Sequence, residues 1–249
     1  MAEVDARLET AFGSHDANSL QQLVRIAEMA ERYDDMCFFV KKLVVNKSSA
    51  KQDLTVEERN LLSVAYKNVV GSKRASWRTL GPDPTDDLDA DLIEKYKRDV
   101  VEKELEARCR DILALLDDHL IPHVKGKNDE TEVFYLKMAG DYYRYLCEIS
   151  SDTEHVENAR KNYQAAWDVA SAHLAEVHPT RLGLALNFSV CYYEILKNSE
   201  EACKLAKEAF DKAIDKLDDI EDATYKDATL IMQLLRDNLT LWTSEAGDD

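Results

Sequence analysis

Glycine and proline are scarce in this chain of 249 residues, seven of the first and four of the second. Most of them fall between periodic segments, which excludes a turn-rich β protein and favours long helices. No uninterrupted apolar stretch approaches the roughly 18 residues of a membrane span. Positive charge is also short: 32 Lys and Arg stand against 49 Asp and Glu, a formal net charge of −17. A surface of that sign repels nucleic acid and anionic membrane, which are bound through basic patches. The five cysteines (Cys37, Cys109, Cys147, Cys191, Cys203) form no C-x-x-C pair and no metal-ligand spacing. They are expected to be buried, reduced thiols of a cytosolic protein. The six histidines show no metal spacing either, and nucleophile motifs and Gly-rich phosphate loops are missing. The expectation is a protein that is not an enzyme, with no cofactor and no metal. Its start, MAEVDARLETAF, has neither the basic region nor the apolar run of a signal peptide, so a cytoplasmic location is expected, nuclear presence being allowed.

What is present is helical periodicity, with 45% hydrophobic residues to build a core. Leu88, Leu92, Val101, Leu105, Ile112, Leu116 and Leu120 mostly advance in steps of three or four, as one face of a long helix requires. Thr55-Val56-Glu57-Glu58 has capping-box spacing ahead of an apolar run. Turn signals stand at Gly81-Pro82-Asp83-Pro84, from Pro122 to Gly126, and at His178-Pro179. Together these predict helices over 3–12, 19–31, 34–48, 55–79, 88–121, 130–150, 153–176, 181–197, 200–217 and 224–243. Short loops make neighbours antiparallel, so the fold class is all-α. Ala159-x-x-x-Tyr163-x-x-Ala166 is echoed by Ala206-x-x-x-Phe210-x-x-Ala213. Tetratricopeptide repeats use small and aromatic residues in this way, but their fixed period is missing.

Three segments put polar side chains on apolar helical faces. In AYKNVVGSKRASWR, Lys67, Gly71 and Arg74 share a side. A mid-helix glycine costs about 1 kcal/mol against alanine; close helix packing is the expected reason for Gly71, and clearance for a ligand the other. In FYLKMAGDYYRYL, Lys137, Asp141, Arg144 and Tyr145 share a face, and Asp141 is an available ion-pair partner for Arg144. If the two helices pack, Lys67, Arg74 and Arg144 converge, and cations so placed repel until an anion arrives. A phosphate dianion suits guanidinium forks, with Tyr145 as a further donor. The third set is a stripe of Leu186, Val190 and Glu194 beside Asn187, matched by Ile231, Leu234, Asn238 and Leu241 with Trp242 adjoining. Asparagine forms helices poorly, yet its amide can both accept from and donate to an extended peptide backbone.

The stretches ERYDDM (Glu31–Met36), EERNLLSVAYKNVVG (Glu57–Gly71), FYLKMAGDYYRYL (Phe134–Leu146), RLGLALNFSV (Arg181–Val190) and LIMQLLRDNLTLW (Leu230–Trp242) closely resemble the 14-3-3 proteins. The resemblance runs from about Leu20 to Trp242. It implies nine antiparallel helices in a curved array, an amphipathic groove, and a non-catalytic adaptor that binds phosphoserine or phosphothreonine segments of partner proteins. It carries the phosphate site onto Lys67, Arg74, Arg144 and Tyr145. The backbone-clamping amides fall on Asn187 and Asn238, and the apolar wall on Leu186, Val190, Ile231, Leu234 and Leu241, with Lys137, Glu194 and Trp242 alongside. A homodimer is implied too, its interface including Arg32, Asp35, Ser76, Tyr96 and Glu104. Arg32 and Glu104 match a cross-subunit ion pair, whereas the usual partner of Asp35 is replaced by Val100, so the interface is expected to be weakened or reshaped. Residues 1–18 form an N-terminal extension with room for an extra helix, 19–243 the 14-3-3-like domain, and 244–249 a short acidic tail. Arg74→Ala or Arg144→Ala is expected to lose phosphopeptide binding with melting nearly intact. The competing reading is a tetratricopeptide-like scaffold for unmodified peptides.

Overall fold

A computed structural model describes residues 2–13, 15–81, 88–217 and 222–245. The turn signal at Pro82-Asp83-Pro84 and tail residues 246–249 lie outside the described residues. Every regular element among the described residues is helical, and the chain divides into two compact units, Met1–His123 and Val124–Asp249.

The first unit begins with α1 (Ala2–Phe12), the extra helix for which the sequence leaves room. Leu8 is buried, Phe12 meets Phe39 edge-on at 5.7 Å, and Lys42 pairs with Glu9. Then come α2 (Ala17–Met29), α3 (Tyr33–Ser49) and α4 (Val56–Thr79). Asp16 caps α2 by accepting from the Ser19 N–H. The capping box at α4 forms as its spacing predicts: the Glu58 N–H donates to Thr55 Oγ1 at 3.2 Å, and the Thr55 N–H to Glu58 Oε2 at 2.7 Å. From Ala90 the chain stays helical through α5 (Ala90–Tyr96), a π-helical stretch Lys97–Glu102, α6 (Lys103–Leu115), a second π stretch Leu116–Leu120 and α7 (Ile121–Val124). Packing of α2 on α3, α3 on α4 and α4 on α6 buries Leu43, Leu62, Leu105 and Ile112.

The second unit holds α8 (Glu130–Ile149), α9 (Thr153–His173), α10 (Pro179–Val190) running into a π turn Cys191–Ile195, α11 (Ser199–Asp215) and α12 (Asp222–Glu245). Asp129, Asp152, His178 and Asn198 cap the first four, each accepting from a first-turn N–H. Pro179 at the start of α10 gives up an amide that would have no helical partner anyway. The three residues Ser150–Asp152 turn the chain back, so α8 and α9 pack antiparallel. Helix packing explains the repeat-like echo: Ala159, Tyr163, Ala166 and Ala170 form the fully buried stripe of α9, and Ala202, Ala206 and Ala213 are fully buried in α11. Small residues at helical spacing let neighbouring helices approach, with no need of a repeat array.

Candidate functional site

Polar chemistry in the second unit centres on α8. Lys137, Asp141 and Arg144 follow one another at helical spacing, and Asp141 and Arg144 are buried. Lys137 Nζ donates to Asp141 Oδ2 at 2.8 Å. Three further groups meet the other carboxylate oxygen. Tyr163 Oη donates to Oδ1 at 2.5 Å and Asn187 Nδ2 at 2.7 Å, while Arg144 Nη2 stands 3.9 Å away, beyond a hydrogen bond. Arg144 Nε instead donates to Tyr163 Oη at 3.1 Å, and its guanidinium lies 4.8 Å from the centre of the Tyr145 ring. The Arg144–Asp141 pair expected from spacing forms as an ion pair at 3.9 Å, and the hydrogen-bonded link between the two groups runs through Tyr163, nineteen residues along the chain.

The electrostatics suit this order. Burial opposes the Asp141 charge, but Lys137 and Arg144 outweigh it and hold the carboxyl below its ordinary pKa. Burial, followed by the charge of Asp141, pushes the Tyr163 phenol well above its usual value, so the hydroxyl keeps its proton and donates. For Arg144, burial favours loss of charge, yet Tyr163, Tyr145 and Asp141 more than compensate and raise its pKa.

Gly140 makes this geometry reachable. A Cβ there would stand 2.8 Å from Tyr163 Cδ1 and 2.9 Å from two more ring atoms. That ring also stacks on Phe188 at 5.4 Å, and Phe188 on Tyr192 at 4.6 Å. Neither Tyr163 nor Gly140 stands out as a site residue in the sequence; the only signals are the small-and-aromatic pattern of α9 and a glycine inside a helical run.

The wall set divides by burial. Leu234 and Leu241 are exposed, Ile231 and Asn238 half-buried, and Leu186 and Val190 half-buried against the core. Glu194 is exposed on the π turn. Trp242 departs from its place beside an open stripe: it is buried and stacks on Tyr193 at 4.8 Å and 13°. An ideal Cβ on Gly183 would lie 3.7 Å from Lys137 Cε and 4.0 Å from Ile231 Cδ1, so α8, α10 and α12 meet around that glycine.

In the first unit, α4 carries Lys67 exposed and Arg74 half-buried, two turns apart. Gly71 between them is exposed, and a Cβ there would meet nothing within 4 Å. Close packing therefore does not account for Gly71, which corrects the expectation; the space is open. The interface candidates lie in this unit as well. Arg32 pairs with Asp35 of its own chain, and Glu104 Oε2 with Lys73 Nζ at 2.7 Å. Ser76 Oγ donates to the Ser72 carbonyl. Ser76, Tyr96, Val100 and Glu104 line a hollow of about 600 Å³.

All five cysteines are free. Burial pushes Cys37 and Cys191 up to about 12 and Cys147 to about 11, so little reactive thiolate forms near neutral pH. Among the described residues no group of His, Cys, Asp and Glu could hold a metal ion, and no helix is long and apolar enough to cross a membrane.

Comparison with known proteins follows the same lines. The family profile described as "14-3-3 protein" matches residues 23–243. The chain is 52% identical over 242 residues to the 14-3-3 protein zeta of Bombyx mori, covering 95% of this chain and 96% of the relative. It is 52% identical over 240 residues to the 14-3-3-like protein 1 of Caenorhabditis elegans, 94% of each. With the 14-3-3-like protein B of Hordeum vulgare it shares 52% over 235 residues, 91% of this chain and 88% of the relative.

Proposed function

The chain belongs to the 14-3-3 family, and on that footing we propose that it is a non-catalytic, cytoplasmic adaptor binding phosphoserine- or phosphothreonine-containing segments of partner proteins. Residues 19–243 act as the binding domain, with 1–18 as an addition before it and 244–249 as a tail. The phosphate is assigned to Lys67, Arg74, Arg144 and Tyr145, and the peptide backbone to Asn187 and Asn238. Leu186, Val190, Ile231, Leu234 and Leu241 take its apolar side chains, with Lys137, Glu194 and Trp242 alongside. Exposed Leu234 and Leu241 and half-buried Ile231 suit direct contact; buried Trp242 supports the wall through Tyr193.

The observation that carries the reading is the buried Arg144 guanidinium, held through Nε by a neutral phenol rather than by a direct carboxylate bond. Such a group keeps its charge and retains its paired Nη donors for an anion. A phosphate monoester carries about −1.5 to −2 charges near neutral pH, and each charge-assisted hydrogen bond to it contributes roughly 1.5–3 kcal/mol. An unmodified serine forfeits those bonds, so phosphorylation acts as the switch.

The test uses fluorescein-labelled synthetic peptides with degenerate flanks, prepared with a central phosphoserine and with plain serine. Fluorescence anisotropy is expected to show saturable binding by the phosphorylated pool and binding at least about 100-fold weaker by the plain one. Equal affinities would discard this function in favour of a scaffold for unmodified peptides.

A homodimer is part of the proposal, its interface drawing on Arg32, Asp35, Ser76, Tyr96 and Glu104. In the first unit Ile26, Met29, Leu88, Leu92 and Tyr96 expose large apolar side chains, Met29 at 86% and Tyr96 at 57%. Apolar surface of that kind marks an association face. Light scattering at micromolar concentration is expected to give twice the 28.4 kDa chain mass, and Met29→Glu to return it to one. A monomeric wild type would remove dimerisation and leave phosphopeptide binding standing.

A further inference from the structure

We infer that Tyr163 and Asp141 are positioning residues for phosphate recognition, Tyr163 being the link that fixes the Arg144 guanidinium through Nε. The inference rests on the phosphopeptide reading above. A carboxylate beside a phosphate ligand repels the phosphate, so Asp141 should weaken the site it occupies. The geometry shows what it does instead. Asp141 holds three donors, from Lys137, Tyr163 and Asn187, which come from three different helices.

The chain of bonds has one direction. Tyr163 gives its only hydroxyl proton to Asp141 Oδ1, so its lone pairs face elsewhere, and one accepts Arg144 Nε. With Nε committed, the guanidinium plane cannot rotate freely about its stem, and the Nη pair becomes the bidentate edge. The ring beneath is wedged between the bare Cα of Gly140 and the face of Phe188. Tyr163 is fully buried, so the whole arrangement is set before any ligand arrives. The same carboxylate takes one Asn187 amide proton and so fixes which way that amide faces, with its carbonyl oxygen left to accept. Orientation fixed in advance spares the entropy of ordering at the moment of binding.

Two variants test this with the tightest phosphoserine peptide from the degenerate pool. Tyr163→Phe keeps the ring, its stack and the Gly140 contact, and removes only the bridging oxygen. It is expected to weaken phosphopeptide binding about 10-fold. Asp141→Asn removes a negative charge from the site; electrostatics alone makes binding tighter, whereas positioning makes it about 10-fold weaker. A double-mutant cycle separates positioning from general damage. In an Arg144→Lys background, which lacks Nε, Tyr163→Phe is expected to change affinity less than twofold. A merely structural tyrosine would cost the same in both backgrounds. Circular dichroism at the titration temperature checks that each variant is folded. Unchanged affinity of Tyr163→Phe, tighter binding by Asp141→Asn, or equal losses in the two backgrounds would each overturn the inference while leaving the binding function in place. Failure of the wild type to bind any phosphopeptide would overturn both.

Discussion

Arg144→Ala is expected to lower phosphopeptide affinity by more than about 100-fold. A guanidinium that grips phosphate through two Nη donors contributes two charge-assisted hydrogen bonds of roughly 1.5–3 kcal/mol each, and 2.7 kcal/mol already corresponds to about 100-fold. Arg144→Lys keeps the charge but loses the fork, so its loss should be smaller. The fold will also respond, contrary to what the sequence alone suggests for this position. Arg144 is buried, and truncating it leaves a cavity, withdraws one cation from Asp141 and strips Tyr163 of its donor. A stability cost of about 1–3 kcal/mol is expected in addition, so titrations belong well below the melting transition. Arg74→Ala, on a half-buried position of the first unit, should reproduce the binding loss with melting nearly unchanged. Isothermal titration with phosphorylated peptide, together with thermal melts, decides both. Normal binding by the two alanine variants would remove the phosphate-site assignment.

Two identical glycine-to-alanine changes are expected to move stability in opposite directions. In a helix interior alanine gains about 1 kcal/mol over glycine from propensity. At Gly71 nothing opposes that gain, since the new methyl group would meet open space. Gly71→Ala should therefore raise the melting temperature by roughly 2–4 °C. At Gly140 the methyl group would be driven into the Tyr163 ring at 2.8 Å. That ring cannot step aside, because Phe188 lies against its face and its hydroxyl is tied to Asp141 and Arg144. Overpacking of a fixed core costs typically 1–3 kcal/mol or more, and at the upper end it exceeds the propensity gain by about 2 kcal/mol. Gly140→Ala should lower the melting temperature by roughly 4–8 °C and weaken phosphopeptide binding as the phenol leaves Arg144. Differential scanning calorimetry of the two variants gives the signs directly. A stabilised Gly140→Ala would show that the close approach is not rigid.

The sequence-legible part of the site is the set of residue types and their faces. Lys67 and Arg74 share one side of a helix because they are seven apart, and Lys137, Asp141 and Arg144 follow one another for the same reason. The family resemblance then attached roles to Asn187, Asn238 and the leucine stripes. Partner choice across helices was not legible. Asp141 sits at the right spacing for a pair with Arg144 and forms one at 3.9 Å, but the hydrogen-bonded link between them runs through the phenol of Tyr163. Trp242 adjoins an open apolar stripe in sequence and turns inward onto Tyr193, because the π turn Cys191–Ile195 carries that tyrosine to it.

The chain's own sequence determined where its helices start and stop, that every regular element among the described residues is helical, and which family it joins. Those properties depend on caps, breakers and periodicity acting within three or four residues, as the Thr55 capping box shows. Only the tertiary structure decided that Gly140 is a packing necessity while Gly71 faces open space, and that one buried phenol joins the site's carboxylate to its guanidinium. Both facts depend on how far apart neighbouring helices lie and how each is rotated about its axis. No local spacing records those quantities, because they are set by the summed packing of many side chains at once.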